Sequence, residues 1–122
     1  MRILVVDDDP VAGEMTMAVL EGAGHAVVLV ENGVEALDAL EDGNDFAMII
    51  SDMNMPLVSG IELFGELRGR GDDRPFILLT GDDPEGPLAR EPRLDGCLTK
   101  DFTLEESLPN MMAEVLARRG SG

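Results

Sequence analysis

Short apolar runs alternate with amphipathic stretches along the chain. Five runs have the length of buried strands, at residues 3–6, 26–30, 46–50, 76–79 and 97–99. The stretches between most of them repeat their apolar residues at spacings of three and four, which is typical of helices packed by one face. This alternation predicts an α/β fold, a doubly wound parallel sheet of five strands.

Polar residues mark where the helices start. Asp9 followed by Pro10 predicts a capped first helix whose inner face carries Val11, Met15, Ala18 and Val19. Capping spacing starts three further helices, from Asn32 with Glu35, Ser59 with Glu62, and Thr103 with Glu106.

Prolines interrupt the pattern in two places. Pro84, Pro87 and Pro92 fall within residues 82–96, so little more than residues 88–91 is expected to be helical there. The fourth helix is therefore predicted to be shortened or irregular. Pro109 either lies inside the last helix or marks the start of its regular part.

Composition narrows the kind of partner. The 122 residues suit one domain, predicted at residues 1–119 with a flexible tail at 120–122, and the net charge of −16 opposes binding to nucleic acid or anionic lipid. The same charge favours metal ions and cationic partners. One cysteine permits no internal disulfide, and the short first apolar run is no signal peptide, so a soluble cytoplasmic protein is expected.

The predicted strands end in polar residues suited to phosphate chemistry. These are Asp7, Asp8, Asp52, Thr80 and Lys100, which converge on one sheet edge if the strand order is 2-1-3-4-5. Three carboxylates close together repel one another at neutral pH, which indicates a bound divalent cation, and an all-oxygen site favours Mg²⁺. With Thr80 donating a hydrogen bond and Lys100 supplying charge, one aspartate can act as a nucleophile toward phosphorus.

The stretch Ser51-Asp52-Met53-Asn54-Met55-Pro56, together with the other strand ends, resembles the receiver domains of bacterial two-component response regulators, especially the chemotaxis type. The resemblance implies a flavodoxin-like fold with Asp52 as phosphoacceptor. The donor would be a histidine on a sensor histidine kinase or a histidine phosphotransfer protein. By the same resemblance, Asp8, the Asp52 carboxylate and the Asn54 carbonyl would hold Mg²⁺, and Asp7 would help through water.

The resemblance also assigns the remaining positions. Thr80 would close on the phosphoryl group, Lys100 would pair with it, and Asn54 and Asp82 would tune its hydrolysis. Such a protein is no enzyme in the ordinary sense, since it catalyses only its own phosphotransfer and slow autodephosphorylation. It would act through protein contacts with a downstream protein, and a homodimer is a further expectation.

Two positions depart from the receiver pattern. Asp101 follows Lys100 where receivers carry a proline in a cis peptide bond, so a trans Lys100–Asp101 bond is predicted. Cys97, expected to be a small buried strand residue, stands where receivers carry an aromatic that couples phosphorylation to the surface. The signal is therefore expected to leave by another surface, such as the last helix.

Two other functions stay open at this point. Residues Asp7 to Val11 fit the first motif of haloacid-dehalogenase-type phosphatases, but that family's final acidic motif is missing and Asp52 would have no role. A degenerate receiver, used as an unphosphorylated docking module, is the other. The sequence leaves open whether the chain is a complete single-domain regulator or part of a larger protein.

Overall fold

A computed structural model describes residues 1–41, 45–101 and 103–120 of the chain. The ten elements alternate between strand and helix: β1 Arg2–Val6, α1 Pro10–Gly22, β2 Ala26–Val30, α2 Gly33–Glu41, β3 Met48–Asp52, α3 Gly60–Gly69, β4 Phe76–Thr80, α4 Glu85–Arg90, β5 Gly96–Thr99 and α5 Leu104–Gly120. All paired strands are parallel, in the order β2-β1-β3-β4-β5. The predicted doubly wound, flavodoxin-like sheet is confirmed.

The sheet separates two hydrophobic layers. Alternation along β1 sends Ile3 and Val5 to one face, where α1 and α5 pack, and Leu4 and Val6 to the other, where α2 and α3 pack. Because β1, β3 and β4 are covered on both sides, their residues are nearly all buried, which explains their continuous apolar sequence. Ser51 is buried within β3 because its hydroxyl donates to the Asp52 carbonyl at 2.9 Å.

The predicted inner face of α1 is wrong. Val11 and Met15 are 66% and 65% exposed, and the helix instead buries Gly13, Thr16 and Leu20. Thr16 can be buried because its hydroxyl donates to the Ala12 carbonyl at 3.2 Å. Ala18 is also exposed, and of the predicted face only Val19 packs against the core.

The fourth helix is short, as predicted, but starts three residues earlier. It spans Glu85–Arg90 and contains Pro87, which is buried. The first turn of a helix has N–H groups without intrahelical acceptors, so a proline there removes no hydrogen bond. The prediction placed the helix after Pro87 because it treated every proline as a helix breaker.

Two element ends also differ from the prediction. Strand β3 begins at Met48 rather than at residue 46 and runs through Asp52, while Phe46 packs in the core before the strand. Helix α5 continues through Pro109 to Gly120, one residue beyond the predicted domain boundary. Residues 121–122 lie outside the described part of the chain, so the flexible tail stays a prediction. Within the described ranges, no helix is long and apolar enough to cross a bilayer.

Candidate functional site

The carboxyl edge of the sheet gathers the polar residues predicted from the strand ends. Asp52 is the last residue of β3 and lies opposite Leu79, and Thr80 ends β4 opposite Thr99. The Lys100 amide donates to the Thr80 carbonyl at 2.7 Å, so the ladder between β4 and β5 extends to the lysine itself. The backbone pairing of three neighbouring strands therefore sets the positions of these side chains.

A cluster of three carboxylates forms the centre of this edge. One oxygen each from Asp7, Asp8 and Asp52 lies within 4.8 Å of the others. Asp7 and Asp52 are buried, whereas Asp8 is exposed to solvent. Asp9 stays outside the cluster because its carboxylate caps α1, accepting from the Val11 amide at 3.0 Å. Hard oxygen ligands of this number and spacing fit a divalent cation, and the described residues thus offer a metal site.

Lys100 supplies the positive charge inside the cluster. Its Nζ lies 2.9 Å from Asp7 Oδ2 and 3.5 Å from Asp52 Oδ1. The other oxygen of Asp7 accepts from the Asp9 amide at 2.9 Å, which fixes the orientation of that carboxylate. The Lys100–Asp101 peptide bond is trans, as predicted. The lysine thus reaches the carboxylates without the cis-proline of the receiver pattern.

Burial and charge act in opposite directions on the ionisation of the site. Burial raises the pKa of Asp52, the Lys100 charge lowers it, and the charges of Asp7 and Asp8 raise it again, so the net shift is upward. Burial would lower the pKa of Lys100, but its hydrogen bond to Asp7 and the charge of Asp52 raise it overall. The net direction of the shift means that Lys100 does not offset the combined effect of burial, which is the largest cause, and of the charges of Asp7 and Asp8.

A tight backbone contact supports the strand end that carries Asp52. The Gly60 amide, at the start of α3, donates to the Met53 carbonyl at 2.8 Å. A Cβ atom at Gly60 would lie 2.5 Å from the Asp52 carbonyl oxygen and would clash with Leu78. Only glycine lets α3 begin this close to the end of β3.

A cavity of about 360 Å³ opens beside the cluster, between the loops that follow β3 and β4. It is lined by Met53, Asn54, Thr80, Asp82, Asp83, Gly86, Pro87 and Arg90. The Thr80 hydroxyl accepts from the Asp82 amide at 3.1 Å, and Asn54 is exposed at the mouth. Arg90 was not among the predicted site residues. It is the last residue of α4, and its side chain lines this cavity.

A family model provides the decisive comparison. The model described as response regulator receiver domain matches residues 3–111, which is most of the chain. The chain belongs to the response regulator receiver family. The family match and the sheet order assign it to receivers rather than to haloacid-dehalogenase-type phosphatases.

Curated relatives and solved structures agree with the receiver assignment. The response regulator MprA of Mycobacterium tuberculosis is 40% identical over 115 residues, which cover 93% of this chain and 50% of MprA. The chain therefore spans about half the length of the curated relatives that it matches.

Two solved structures of the response regulator TrrA from Thermotoga maritima are similar at 34% identity. The structure in complex with Mg(2+)-BeF has a TM-score of 0.84, with 94% of this chain and 98% of that chain covered. The structure of TrrA in complex with the histidine kinase ThkA has a TM-score of 0.78, with 94% and 97% covered.

The structure thus brings most of the predicted residues together. Asp7, Asp8, Asp52 and Lys100 form one contact group. Thr80 ends the strand next to Asp52, and Asn54 lines the cavity with it. Cys97 is a small buried strand residue, as predicted, and burial raises the pKa of its thiol to about 11.

Proposed function

We propose that this receiver is a phosphorylation switch in which Asp52 accepts a phosphoryl group from a histidine on a sensor kinase or phosphotransfer protein. The observation that carries the proposal is the setting of the Asp52 carboxylate. Asp52 ends a strand and is 8% exposed. One of its carboxylate oxygens lies within 4.8 Å of oxygens from Asp7 and Asp8, and Oδ1 lies 3.5 Å from the Lys100 ammonium. This arrangement places a nucleophile between groups that can absorb the charge of a phosphoryl group.

In the proposed reaction an Asp52 oxygen bonds to phosphorus while the phosphorus–nitrogen bond to the donor imidazole breaks. Lys100 shifts from the carboxylates toward the phosphoryl oxygens and neutralises part of their charge. Thr80 donates its hydroxyl hydrogen to a second oxygen, and its own oxygen can still accept from the Asp82 amide. Mg²⁺ held by Asp7, Asp8, Asp52 and the Asn54 carbonyl would supply charge neutralisation for the same transfer.

Two similarities support the donor and the metal. TrrA, at 34% identity, has been solved with Mg(2+)-BeF and also with the histidine kinase ThkA. We carry both over to this chain as a proposal. The protein would catalyse only its own phosphotransfer and slow autodephosphorylation, with Asn54 and Asp82 controlling the approach of water. A cytoplasmic location, a downstream protein partner and a homodimer are further parts of the proposal.

The experiment is incubation with Mg²⁺ and acetyl phosphate, followed by intact-mass measurement. We expect the wild type to gain one phosphoryl group only when Mg²⁺ is present, and Asp52→Asn to gain none. Asp9→Asn is the matched control, because it removes a carboxylate from the same edge while asparagine still caps α1. It should be labelled like the wild type.

The other outcomes separate the alternative functions. Undiminished labelling of Asp52→Asn would refute the assignment of the phosphoacceptor. No adduct and no Mg²⁺ effect in any variant would favour the unphosphorylated docking module. Phosphate released from acetyl phosphate independently of Asp52 would contradict the proposed role of Asp52.

A further inference from the structure

Lys100 supplies the positive charge of the carboxylate cluster. Contacts on both sides of Lys100 along the chain fix its backbone. On the strand side, its amide donates to the Thr80 carbonyl at 2.7 Å. On the other side, the chain turns at Asp101 toward α5. The direction in which the Lys100 side chain leaves the sheet therefore depends on both the ladder and this turn.

Asp101 closes the turn with its side chain as well as its backbone. Its Oδ1 accepts from the Thr103 amide at 2.8 Å and also from the Thr103 hydroxyl. Its carbonyl accepts from the Leu104 amide at 3.1 Å. Leu104 is the first residue of α5 and is buried in the core. The residue that follows Lys100 is thus tied to a helix that is itself anchored.

We propose that Asp101 is a positioning residue that aims Lys100 at Asp7 and Asp52 by closing this turn. The role rests on the proposed function, because Lys100 matters only if a phosphoryl group is transferred. It assigns a task to the residue that replaces the cis-proline of the receiver pattern.

Asp101 acts by fixing the backbone turn that follows Lys100, and not by the negative charge of its carboxylate. Its carboxylate is exposed and engaged by Thr103, and these hydrogen bonds lower its pKa. Among the ion pairs formed by the described residues, those of Lys100 are with Asp7 and Asp52 and not with Asp101. A neutral side chain with the same acceptor should therefore be sufficient, and asparagine provides it.

The test measures the rate of acetyl phosphate labelling and the midpoint of beryllofluoride binding, both with Mg²⁺ present. Asp101→Ala should slow labelling and weaken binding by about three- to tenfold, the effect of losing one or two hydrogen bonds that orient the lysine. Asp101→Asn should restore both to within about twofold of the wild type, because it keeps the turn.

Two controls separate this role from simple stabilisation of a helix end. Asn32→Ala removes a comparable hydrogen bond, from the Glu35 amide at 2.9 Å, at the start of α2 on the same sheet edge. It should leave labelling unchanged. In a Lys100→Met background, Asp101→Ala should cause no further loss, because the residue through which it acts is gone.

The outcomes are distinguishable from those of the proposed function. Equal losses from Asp101→Ala in the wild-type and Lys100→Met backgrounds, no loss at all, or failure of Asp101→Asn to rescue would each overturn the role. Urea unfolding of every variant identifies a loss caused only by misfolding, and Asp101→Asn then decides. Absence of the Asp52 adduct in the wild type would overturn the proposed function and this role with it.

Discussion

Leu57 has an unusual backbone conformation for a branched side chain. Its φ is +72°, the only positive φ at a non-glycine position in the described part of the chain. The Val58 amide donates to the Pro56 carbonyl at 2.8 Å, which closes a strained three-residue turn around it. The side chain is 84% exposed, so no packing in the monomer compensates for the strain.

Replacing Leu57 by glycine should therefore stabilise the protein. A left-handed backbone conformation costs a non-glycine residue about 1–2 kcal/mol, which glycine avoids. The greater conformational freedom of glycine in the unfolded chain offsets part of this gain. We expect a net gain of about 0.5–1 kcal/mol in the free energy of unfolding, measured by urea denaturation.

The matched control makes the same substitution in a regular helix. Leu116 lies in α5 and is partly exposed, so Leu116→Gly should lower the free energy of unfolding by about 1 kcal/mol or more. If Leu57→Gly lost as much stability as Leu116→Gly, strain at Leu57 would be ruled out.

At the scale of secondary-structure elements, α1 offers the clearest test of which helix face packs against the sheet. Leu20 is 0% exposed, whereas Met15 on the same helix is 65% exposed. Leu20→Ala should cost about 2–5 kcal/mol in the free energy of unfolding, and Met15→Ala should change it by less than about 0.5 kcal/mol. Urea denaturation of the two variants decides the matter, and a similar loss from both would contradict the structure.

The error in α1 has a physical origin that the sequence does not reveal. Counting apolar residues favoured Val11 and Met15, but Gly13 and Thr16 take the inner positions. A Cβ atom at Gly13 would lie 2.8 Å from Leu29 Cδ1, so glycine permits the close approach of helix and sheet. Whether a small residue marks a close approach or a solvent face depends on the tertiary packing.

The strand ends, in contrast, could be predicted well. Asp52, Thr80 and Lys100 each follow an apolar run whose length and composition already indicate a buried parallel strand. The carboxyl ends of parallel strands lie at one edge of the sheet, so the predicted strands and their order were enough to predict that these residues lie near one another. Distances within the site, such as the closer approach of Lys100 to Asp7 than to Asp52, depend on side-chain geometry and could not be predicted.

At the scale of the whole molecule, several basic residues lie at the edge of the sheet opposite the carboxylate cluster. Asp95, just before β5, accepts from the Phe76 amide at 2.8 Å and pairs with Arg68 at 3.2 Å and Arg119 at 3.0 Å. These contacts hold α3 and α5 at the amino end of the sheet. In the carboxylate cluster at the opposite edge, Lys100 is the one cation that pairs with the described residues, although the chain carries a net charge of −16.

The buried Asp52 carboxylate in that cluster predicts a dependence of stability on pH. The pKa of Asp52 is raised in the folded protein, chiefly by burial, so the folded state holds this proton more tightly than the unfolded state does. The contribution of Asp52 to stability therefore falls as the pH rises from the unfolded pKa through the raised folded pKa. Above that range the folded protein bears the full cost of the charge.

Asp52→Asn removes this charge while keeping the shape of the side chain. Without metal, the variant should be more stable than the wild type at about pH 7.5, and the difference should become small at about pH 3, below the ordinary aspartate pKa, where Asp52 is largely protonated in both the folded and the unfolded state. We expect this sign because the net pKa shift of Asp52 is upward, even though the substitution also loses the contact with Lys100. Thermal unfolding of both proteins in a chelator at the two pH values is the measurement.

Adding Mg²⁺ should shift the comparison in favour of the wild type. A cation held by Asp7, Asp8 and Asp52 would stabilise the wild type by about 1.4 kcal/mol at ten times its dissociation constant, and the variant lacks one of those ligands. The wild type should gain more from Mg²⁺ than Asp52→Asn does. A variant less stable than the wild type at neutral pH in chelator would mean that attraction to Lys100 outweighs burial. An equal Mg²⁺ effect on both proteins would place the ion elsewhere than on Asp52.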